Sequence, residues 1–320
     1  MNTTLILDAA CDLPRQVIED NPVRIIPLSL TAAGQEIVDY RDPADTLSGY
    51  QNGLIDPYVH VGHQRRRRRF ELNPPDTQAL MSTFEDSRQH GHEVIIQTGS
   101  ARHAPEFNHI KTLLEVQGLT EQARLMDSHT LFAGQGLVAA HTLGLARKGA
   151  KGNELRRKAQ QVAGQTACFM VPTDIQYAND REVQHEREPL LRTERMFSSA
   201  SKDTAVIAAY DNQTFVVAEY EYHHQAVNAS IKRAIRQFDQ QPASPYVSLS
   251  YAGDLRELDH FDEVQRLRTL HETRKIRLMI STMGLSGATY LGVGGFSIAV
   301  SGIRVKGDVW PSMANKGPHS

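Results

Sequence analysis

The chain has 320 residues, of which 40% are hydrophobic and 22% are charged, and its formal net charge is −2. This composition is typical of a globular protein with room for two domains, and the near-neutral charge excludes a chain-wide basic surface for nucleic acid. Cys11 and Cys168 are too few for a disulfide framework and lack the spacing of a metal site. Because the N-terminus shows no secretory signal pattern, we expect a cytoplasmic protein.

The first half of the sequence alternates strand and helix patterns. Strands are predicted at residues 4–8, 23–30, 93–97 and 123–127, and helices at residues 14–20, 76–90, 104–117, 131–149 and 153–163. Asp76 and Asn153 are expected as N-caps, and Gly91, Gly118 and Gly149 as C-terminal stops. Strands that alternate with helices at this spacing predict a mainly parallel sheet with flanking helices.

The pattern changes near Gly164 to apolar runs joined by short turns. Strands are predicted at residues 166–171, 204–210, 214–221 and 246–251, and helices at residues 226–238 and 259–271. Asp211-Asn212 is a hairpin signal between two of these strands. We therefore predict an α/β protein of two domains, an N-terminal α/β domain at 1–164 and a C-terminal α+β domain at 165–320, with a loose tail after Trp310.

An uncharged stretch at residues 278–303 is long enough to cross a bilayer. It contains six glycines and several Ser and Thr residues, which are not typical of a membrane helix. We predict instead two buried strands, at 278–281 and 296–301, that flank a glycine-rich loop, and no integral membrane segment.

Polar side chains follow two of the predicted strands. Asp8 ends the first strand, and the C-terminal edge of the first strand is where ligands bind in α/β sheets. Ser100 follows a buried strand and Gly99, where it would either bind an anion or simply cap a helix. Arg102 would bind a carboxylate or phosphate if it faces a cleft, and would otherwise belong to a solvated loop.

Five consecutive arginines at residues 65–69 are the most unusual run in the chain. They would either bind phosphate groups or form a solvated insert, because like charges in a row repel one another. We expect the second, with exposed side chains that contribute little to stability.

Sequence motifs for catalysis or metal binding are not found in this chain. There is no phosphate-binding Walker loop, no Gly-x-Ser-x-Gly elbow and no dinucleotide fingerprint. His103, Glu106 and His109 repeat every three residues, whereas a zinc helix uses an i, i+4 pair. We therefore predict no catalytic residue, no cofactor and no metal site.

Several segments together resemble the DegV family of bacterial fatty-acid-binding proteins. The segments are LILDAACDLP at residues 5–14, VRIIPLSL at 23–30, MDSHTLFAGQGL at 126–137, ACFMVPTDIQY at 167–177 and ATYLGVGGF at 288–296. They are similar to the family's opening strand, its second strand, its Asp-Ser and glycine-bearing helix, the strand that opens its second domain and its late Gly-x-Gly loop. The resemblance covers most of the chain.

The resemblance implies a two-domain, non-enzymatic protein that holds a fatty acid or similar amphipathic ligand between its domains. It also implies a kinase-type protein partner that phosphorylates the presented carboxylate. The predicted ligand-binding positions are Asp8, Asn73, Thr98, Ser100, Tyr251, Tyr290, Gly292 and Gly294, together with Arg102, a cation on the Ser100 loop that is new relative to the family.

This chain departs from the family pattern at the loops that would hold the head group. Glu71 stands where the family has a hydroxyl, and of its serine-rich loop this chain keeps Ser100 alone. Tyr251 and Tyr290 replace two histidines, and Arg181-Glu182 replaces the Gly-Gly-Arg segment that contacts the kinase. The alternative hypothesis is therefore an interaction or regulatory protein that has lost fatty-acid presentation and acts through residues 65–69. A third hypothesis is an enzyme acting on a small molecule in the cleft.

Overall fold

The computed structural model describes residues 3–32, 34–56, 58–61, 64–68, 70–73, 75–90, 92–103, 106–175 and 204–302. The tail after Trp310, Arg181-Glu182, Arg69 and Gly91 lie outside the described residues.

The strands and helices of the described chain are as follows. The strands are β1 (Thr3–Asp8), β2 (Val23–Ile26), β3 (Leu28–Ala32), β4 (Gln35–Asp39), β5 (Tyr58–Val61), β6 (Gln64–Arg67), β7 (Phe70–Leu72), β8 (Glu93–Thr98), β9 (Ala123–Asp127), β10 (Thr166–Val171), β11 (Thr204–Tyr210), β12 (Gln213–Tyr220), β13 (Pro242–Tyr251), β14 (Arg277–Thr282) and β15 (Phe296–Gly302). The α-helices are α1 (Arg15–Glu19), α2 (Pro43–Gln51), α3 (Thr77–Gln89), α4 (Glu106–Val116), α5 (Ala133–Arg147), α6 (Gly152–Ala163), α7 (His223–Gln240), α8 (Asp262–Glu272) and α9 (Leu285–Leu291). A 3-10 helix covers Leu255–His260.

The first sheet is parallel, as the strand–helix alternation predicts. Its order is β2-β1-β8-β9, and every neighbouring pair runs parallel. Alternate residues of β1 face opposite layers: Leu5 and Leu7 pack with α5 and α6, whereas Ile6 packs with α3 and α4. Helices therefore cover both faces of this sheet, which makes its strands continuously apolar.

The second sheet has six strands in the order β12-β11-β10-β15-β13-β14. The pair β13–β14 is parallel and the other neighbours are antiparallel, so this half has the mixed α+β pattern that was predicted. Helices α7 and α8 cover one face. The two sheets share no strand, and the chain passes from one to the other between α6 and β10. The division into domains near Gly164 stays a prediction.

The region between β2 and α3 is the part of the fold that sequence patterns described least well. The strand predicted at 23–30 is two strands, β2 and β3, separated at Pro27, and these belong to different sheets. Residues 33–72, for which no element was predicted, contain helix α2, the outer strands of a sheet in the order β4-β3-β7, and a hairpin of β5 and β6. Proline supplies no backbone N–H, so Pro27 is a natural break between ladders.

Turn and cap predictions had mixed outcomes. The Asp76 carboxylate caps α3 by accepting from two backbone N–H groups, and Asp211 and Asn212 form the hairpin turn with φ of 47° and 60°. The prediction for Asn153 was wrong: α6 begins at Gly152, and the Asn153 amide oxygen accepts from Arg124 Nε at 3.3 Å. The glycine-rich loop at 282–295 contains a short helix, α9, which the sequence analysis missed.

An apolar cluster joins the two halves. Its buried members come from β3, β7, α2, the start of α5, α9 and the inner face of the second sheet, and they include Leu30, Phe70, Phe132, Met170, Ile207 and Leu285. Within the described residues, no helix combines the length and hydrophobicity needed to cross a bilayer. The uncharged C-terminal stretch is thus accounted for by buried strands and α9.

We expect Gly136→Ala to destabilise the protein by about 1–3 kcal/mol, the usual cost of forcing extra volume into a packed site. A Cβ at this position of α5 would lie 2.7 Å from the backbone carbonyl oxygen of Asp12, so backbone must move. Gly144→Ala in the same helix is the control. There the nearest atom would be 3.5 Å away, and we expect unchanged or slightly increased stability. Urea unfolding of both variants measures the difference, and equal stabilities would show that α5 moves freely away from Asp12.

Candidate ligand site between the two sheets

Asp8 and Thr98 lie side by side at the carboxyl ends of β1 and β8, as the parallel sheet requires. The Asp8 carboxylate is 3% exposed and accepts from Ala10 N at 2.9 Å, Gly99 N at 3.3 Å and Gln135 Nε2 at 3.1 Å. The Thr98 hydroxyl donates to the carbonyl oxygen of Gly99 at 3.0 Å. Asp8 therefore organises the loop that follows β8.

Burial raises the pKa of Asp8 to about 6, although its hydrogen bonds with Gln135, Ala10 and Gly99 act in the opposite direction. Removing a carboxylate from water disfavours its charged form, and no cation contacts Asp8 among the residues described. This carboxyl group is thus able to take up a proton just below neutral pH.

Ser100 is held by the second half of the molecule. Its hydroxyl donates to Asn212 Oδ1 at 2.6 Å and lies 3.1 Å from His103 Nδ1. Because the Ser100 proton goes to Asn212, His103 Nδ1–H is the donor in the second contact. Helix α4 begins only at Glu106, so Ser100 is not its N-cap, and of the two alternatives considered for Ser100 the helix cap is excluded.

The turn between β11 and β12 lies against the edge of the first sheet through polar groups that the sequence analysis did not assign to the site. Asn212 donates from Nδ2 to Asp127 Oδ2 at 2.7 Å and from its backbone N to the carbonyl of His129 at 3.0 Å. His129 Nδ1 pairs with Asp211 Oδ1 at 2.9 Å. The signal for Asp127 was present in the sequence, since it ends β9 as Asp8 ends β1.

Asn73 lies apart from this network, whereas Arg102 directly follows Ala101, whose backbone N donates to Asp127 Oδ1 at 3.2 Å. Asn73 donates from Nδ2 to Ser29 Oγ at 2.8 Å and to Thr31 Oγ1 at 3.1 Å, and so ties the end of β7 to β3. The Arg102 side chain is half-buried, so it is neither enclosed in a cleft nor fully solvated, the two alternatives considered for it.

Part of the arginine run is structural. Residues 64–67 form strand β6, paired with β5, and are not an unstructured insert. Arg68 is half-buried and donates from Nη1 to the carbonyls of Gly53 at 3.0 Å and Leu54 at 2.7 Å, so the expectation of full exposure was wrong for this residue. The carbonyls of Gly53 and Leu54, near the end of α2, accept these hydrogen bonds and explain why the Arg68 side chain is partly buried.

Tyr251, Gly292 and Gly294 come together at the end of β13. Gly294 N donates to the Ala252 carbonyl at 2.7 Å, and both glycines have left-handed backbones, with φ of 80° and 86°. A Cβ on Gly292 would lie 2.2 Å from Thr173 Oγ1, so this position requires glycine. These three residues shape the loop before β15.

The Tyr251 hydroxyl does not point to a free head-group position. It donates to Glu257 Oε2 at 2.6 Å, and burial together with this hydrogen bond raises the pKa of Tyr251. Tyr290, by contrast, packs with the apolar cluster, where its ring centroid lies 6.0 Å from that of Phe132.

The polar edge, formed by Asp8, Thr98, Ser100, Asp127 and Asn212, adjoins the apolar cluster. Ser100 N donates to the Thr130 carbonyl at 2.8 Å, and two residues later Phe132 is buried in the cluster with a φ of 49°. Positive φ is uncommon for an aromatic residue and indicates that surrounding contacts hold it there. A ligand with a polar head and an apolar tail would match this pair of surfaces.

A buried ion pair of the first half contacts the second half beside this region. Arg41, which is 7% exposed, donates from Nη1 to Asp12 Oδ1 at 3.3 Å and to the Thr282 carbonyl at 3.1 Å. The Asp12 carboxylate also accepts from Ser250 Oγ at 2.5 Å and Gly284 N at 2.9 Å. Burial raises the pKa of Asp12 to about 6 while Arg41 lowers it. Sequence patterns gave no signal for Arg41.

The cysteine thiols are not exposed in the described parts of the chain. Cys11 and Cys168 are buried free thiols, and burial raises the pKa of Cys168 to about 12, as expected for packing rather than reactivity. In the same residues, no group of three His, Cys, Asp or Glu side chains is arranged to hold a metal ion.

Comparison with known proteins identifies the family. Residues 2–302 match the family model described as uncharacterised protein, DegV family. The chain belongs to the DegV family. A DegV domain-containing protein of Xanthomonas campestris is 25% identical over 314 residues, which cover 93% of this chain and 97% of that protein.

Solved DegV structures share the fold. A stearic-acid-binding protein from Eubacterium ventriosum superposes with a TM-score of 0.74 at 17% identity, covering 93% of this chain and 98% of that one. DegV from Bacillus subtilis, described as a fatty acid binding protein, gives 0.71 at 12% identity, covering 95% and 100%. The resemblance to the family and the α/β fold class predicted from sequence are thus confirmed.

Asp8→Asn should change how stability depends on pH. The folded-state pKa of about 6 lies above the ordinary value of 3.8, so the folded protein holds this proton more tightly than the unfolded chain. The contribution of Asp8 to stability is therefore greatest at low pH and is lost as the pH rises from about 4 to 6, by up to about 3 kcal/mol. We expect Asp8→Asn to gain stability relative to wild type across this interval. Urea unfolding between pH 4 and 7 measures it, with exposed Asp20→Asn as control, and parallel curves for wild type and Asp8→Asn would contradict it.

Proposed function

We propose that this protein is a non-enzymatic carrier that binds a fatty acid, or a similar amphipathic lipid, between its two halves. The observation that carries the proposal is the apolar cluster, built from both halves, directly beside the buried polar edge at Ser100. The descriptions of DegV relatives as fatty-acid-binding proteins support the same function. The proposal places the carrier in the cytoplasm, where a kinase-type partner would receive the bound ligand.

The apolar cluster supplies the main driving force for binding. Burying each methylene contributes about 0.8 kcal/mol, so roughly ten methylenes would contribute ~8 kcal/mol, from which the free-energy cost of association and ordering is subtracted. The residues that would surround the tail include Phe132 and Tyr290, which lie next to the polar edge. The tail would therefore extend from Ser100 into the space between the sheets.

The polar edge would hold the carboxylate by exchanging hydrogen-bond partners. In the structure, the Ser100 hydroxyl donates to Asn212 Oδ1. A ligand carboxylate at this position would replace Asn212 as the acceptor, and the charged acceptor gives the stronger hydrogen bond. His103, whose Nδ1 lies 3.1 Å from Ser100 Oγ, is the nearest second donor. As a hydrogen-bond donor to the carboxylate, His103 would replace the two family histidines, whose positions are Tyr251 and Tyr290 in this chain.

The carrier hypothesis predicts co-purified lipid. Mass spectrometry of the native and the denatured protein should release a fatty acid, and adding one to stripped protein should raise its melting temperature. Absence of lipid together with an unchanged melting temperature would contradict the proposal and favour an interaction or regulatory protein. If Val217→Phe retains the lipid and Val216→Phe does not, the lipid lies in the apolar cluster between the halves. These neighbours on edge strand β12 are both partly buried, but only Val216 packs with the cluster between the halves.

The head-group hypothesis predicts that Ser100→Ala and Arg102→Ala weaken binding of a labelled fatty acid by about 1–3 kcal/mol, the scale for losing a hydrogen bond to a charged group. Fluorescence titration of each variant measures this, with Arg256→Ala as control because Arg256 is exposed and pairs locally with Asp254. A fatty alcohol of equal length should bind both variants as it binds the wild type. Wild-type affinity for the acid in both variants would place the carboxylate elsewhere.

A further inference from the structure

The side chain of Asn212 makes two hydrogen bonds that define the chemistry of the position beside Ser100. Its Oδ1 accepts from Ser100 Oγ at 2.6 Å, and its Nδ2 donates to Asp127 Oδ2 at 2.7 Å. Because an ionised carboxylate only accepts hydrogen bonds, Asp127 determines which way the Asn212 amide faces. A group that replaces Asn212 must therefore accept from Ser100 and donate to Asp127 at the same time.

Asp127 depends on Asn212 for one of its two oxygens. Its Oδ1 accepts from the backbone N of Ala101 at 3.2 Å and of His129 at 2.7 Å, and its side chain is 10% exposed. Among the described residues, Asn212 Nδ2 is the hydrogen-bond donor to Oδ2. A ligand that displaced Asn212 without supplying a donor would leave Oδ2 unpaired in a nearly dry site, which is costly.

His129 does not supply that donor, although its Nε2 lies 4.0 Å from Asp127 Oδ2. Gln160 Nε2 lies 2.9 Å from the backbone carbonyl oxygen of Asp127 and 2.6 Å from His129 Nε2. The carbonyl oxygen requires an N–H donor, so the same amide group also donates to His129 Nε2. The ring proton is then on Nδ1, 2.9 Å from Asp211 Oδ1, and the imidazole is neutral in this arrangement.

The other ionisable groups around Asp127 add more negative than positive charge. They are Asp8 at the end of β1, Arg102 and His103 after β8, Glu106 at the start of α4 and Asp211 in the β11–β12 turn. Arg102 is the permanent cation among them, and three are carboxylic acids. A ligand carboxylate in contact with Asp127 would add negative charge to this group, and two carboxylates in contact do not both stay ionised.

We propose that a fatty acid bound at Ser100 shares one proton with Asp127, and that Asp127 thereby selects head groups that present an acceptor and a donor side by side. One carboxyl oxygen would accept from Ser100, and the proton would lie between the other oxygen and Asp127 Oδ2, in the pattern of the Asn212 amide. The proton is taken from solvent on binding, and the pair keeps one negative charge and titrates as a unit. This inference rests on the proposed carrier function.

Three ligands of equal chain length test the proposal: decanoate, decanamide and decane-1-sulfonate. The amide presents a donor and an acceptor without a proton from solvent, whereas the sulfonate is permanently charged and only accepts. Titrations between pH 7 and 9 lie above the pKa of Asp8, which is about 6. The Kd of decanoate should rise with pH in this range, about tenfold for each unit over which one proton is taken up. The Kd of decanamide should not change, and the sulfonate should bind more weakly than decanoate at pH 7.

Isothermal titration calorimetry measures the proton directly. Phosphate and Tris release different heats when they give up a proton, so the difference between the two buffers counts the protons taken up for each ligand bound. We expect about one proton for decanoate and none for decanamide at pH 7.5, because only the acid needs a proton to complete the pattern.

Two variants assign the proton to Asp127. Asp127→Asn removes the second carboxylate, so decanoate should bind without proton uptake, its Kd should lose the pH dependence, and the disadvantage of the sulfonate should shrink. Exposed Asp20→Asn is the control and should keep the wild-type pH dependence.

Asn212→Asp tests the same position without a ligand, because it places a carboxyl group between Ser100 and Asp127 from within the chain. The folded protein should then hold one more proton than the wild type. A proton held more tightly by the folded state stabilises it at low pH, and this stabilisation is lost as the pH rises. The urea midpoint of Asn212→Asp relative to the wild type should therefore fall between pH 5 and 8.

Several results would overturn the proposal and leave the carrier function standing. These are a Kd of decanoate that does not change with pH, equal binding of decanoate and the sulfonate, and proton uptake that persists in Asp127→Asn. Parallel urea curves for Asn212→Asp and the wild type would also overturn it, since the position would then impose no sharing of a proton. Failure of all three ligands to bind would instead contradict the carrier function, and this inference with it.

Discussion

The arrangement of the two halves depends on the ion pair and hydrogen bonds of the buried Asp12 carboxylate. It comes from the first half and accepts from Arg41 of the same half and from Ser250 and Gly284 of the second. Its backbone carbonyl accepts from Ser281 Oγ at 2.8 Å. Removing one partner from a buried ion pair leaves an uncompensated charge and costs about 3–5 kcal/mol. The relative position of the two sheets is therefore tied to a few specific polar contacts as well as to apolar packing.

The relative position of the two sheets determines which side chains lie between them. With the halves joined at Asp12, the inner face of the second sheet meets α2 and the start of α5, and their apolar residues form one shared cluster. The contact of Ser100 with Asn212 fixes the same interface at the other end of the strand edge. A polar edge and an apolar interior consequently adjoin, which is the arrangement that an amphipathic ligand requires.

The predicted ligand positions divide into groups when placed in the fold. Asp8, Thr98 and Ser100 do share an edge, because they end or follow neighbouring parallel strands. Tyr251, Gly292 and Gly294 gather at the loop before β15, and Tyr290 belongs to the apolar cluster. Asn73 binds within its own small sheet. The predicted positions therefore fall in separate parts of the fold, and the hydrogen-bond partner of each side chain depended on residues that the family pattern does not include.

The sequence by itself determined the alternation of strands and helices, the parallel first sheet, the hairpin at Asp211-Asn212 and the family. These follow from local periodicity and turn chemistry, which act over a few residues. Only the tertiary structure decided that residues 23–30 split between two sheets, that Arg41 is buried against Asp12, and that Ser100 bonds to Asn212. Such contacts join residues 29 and 112 positions apart in the chain. Their formation depends on how whole layers pack, because a buried polar group must find its partner wherever the fold brings one.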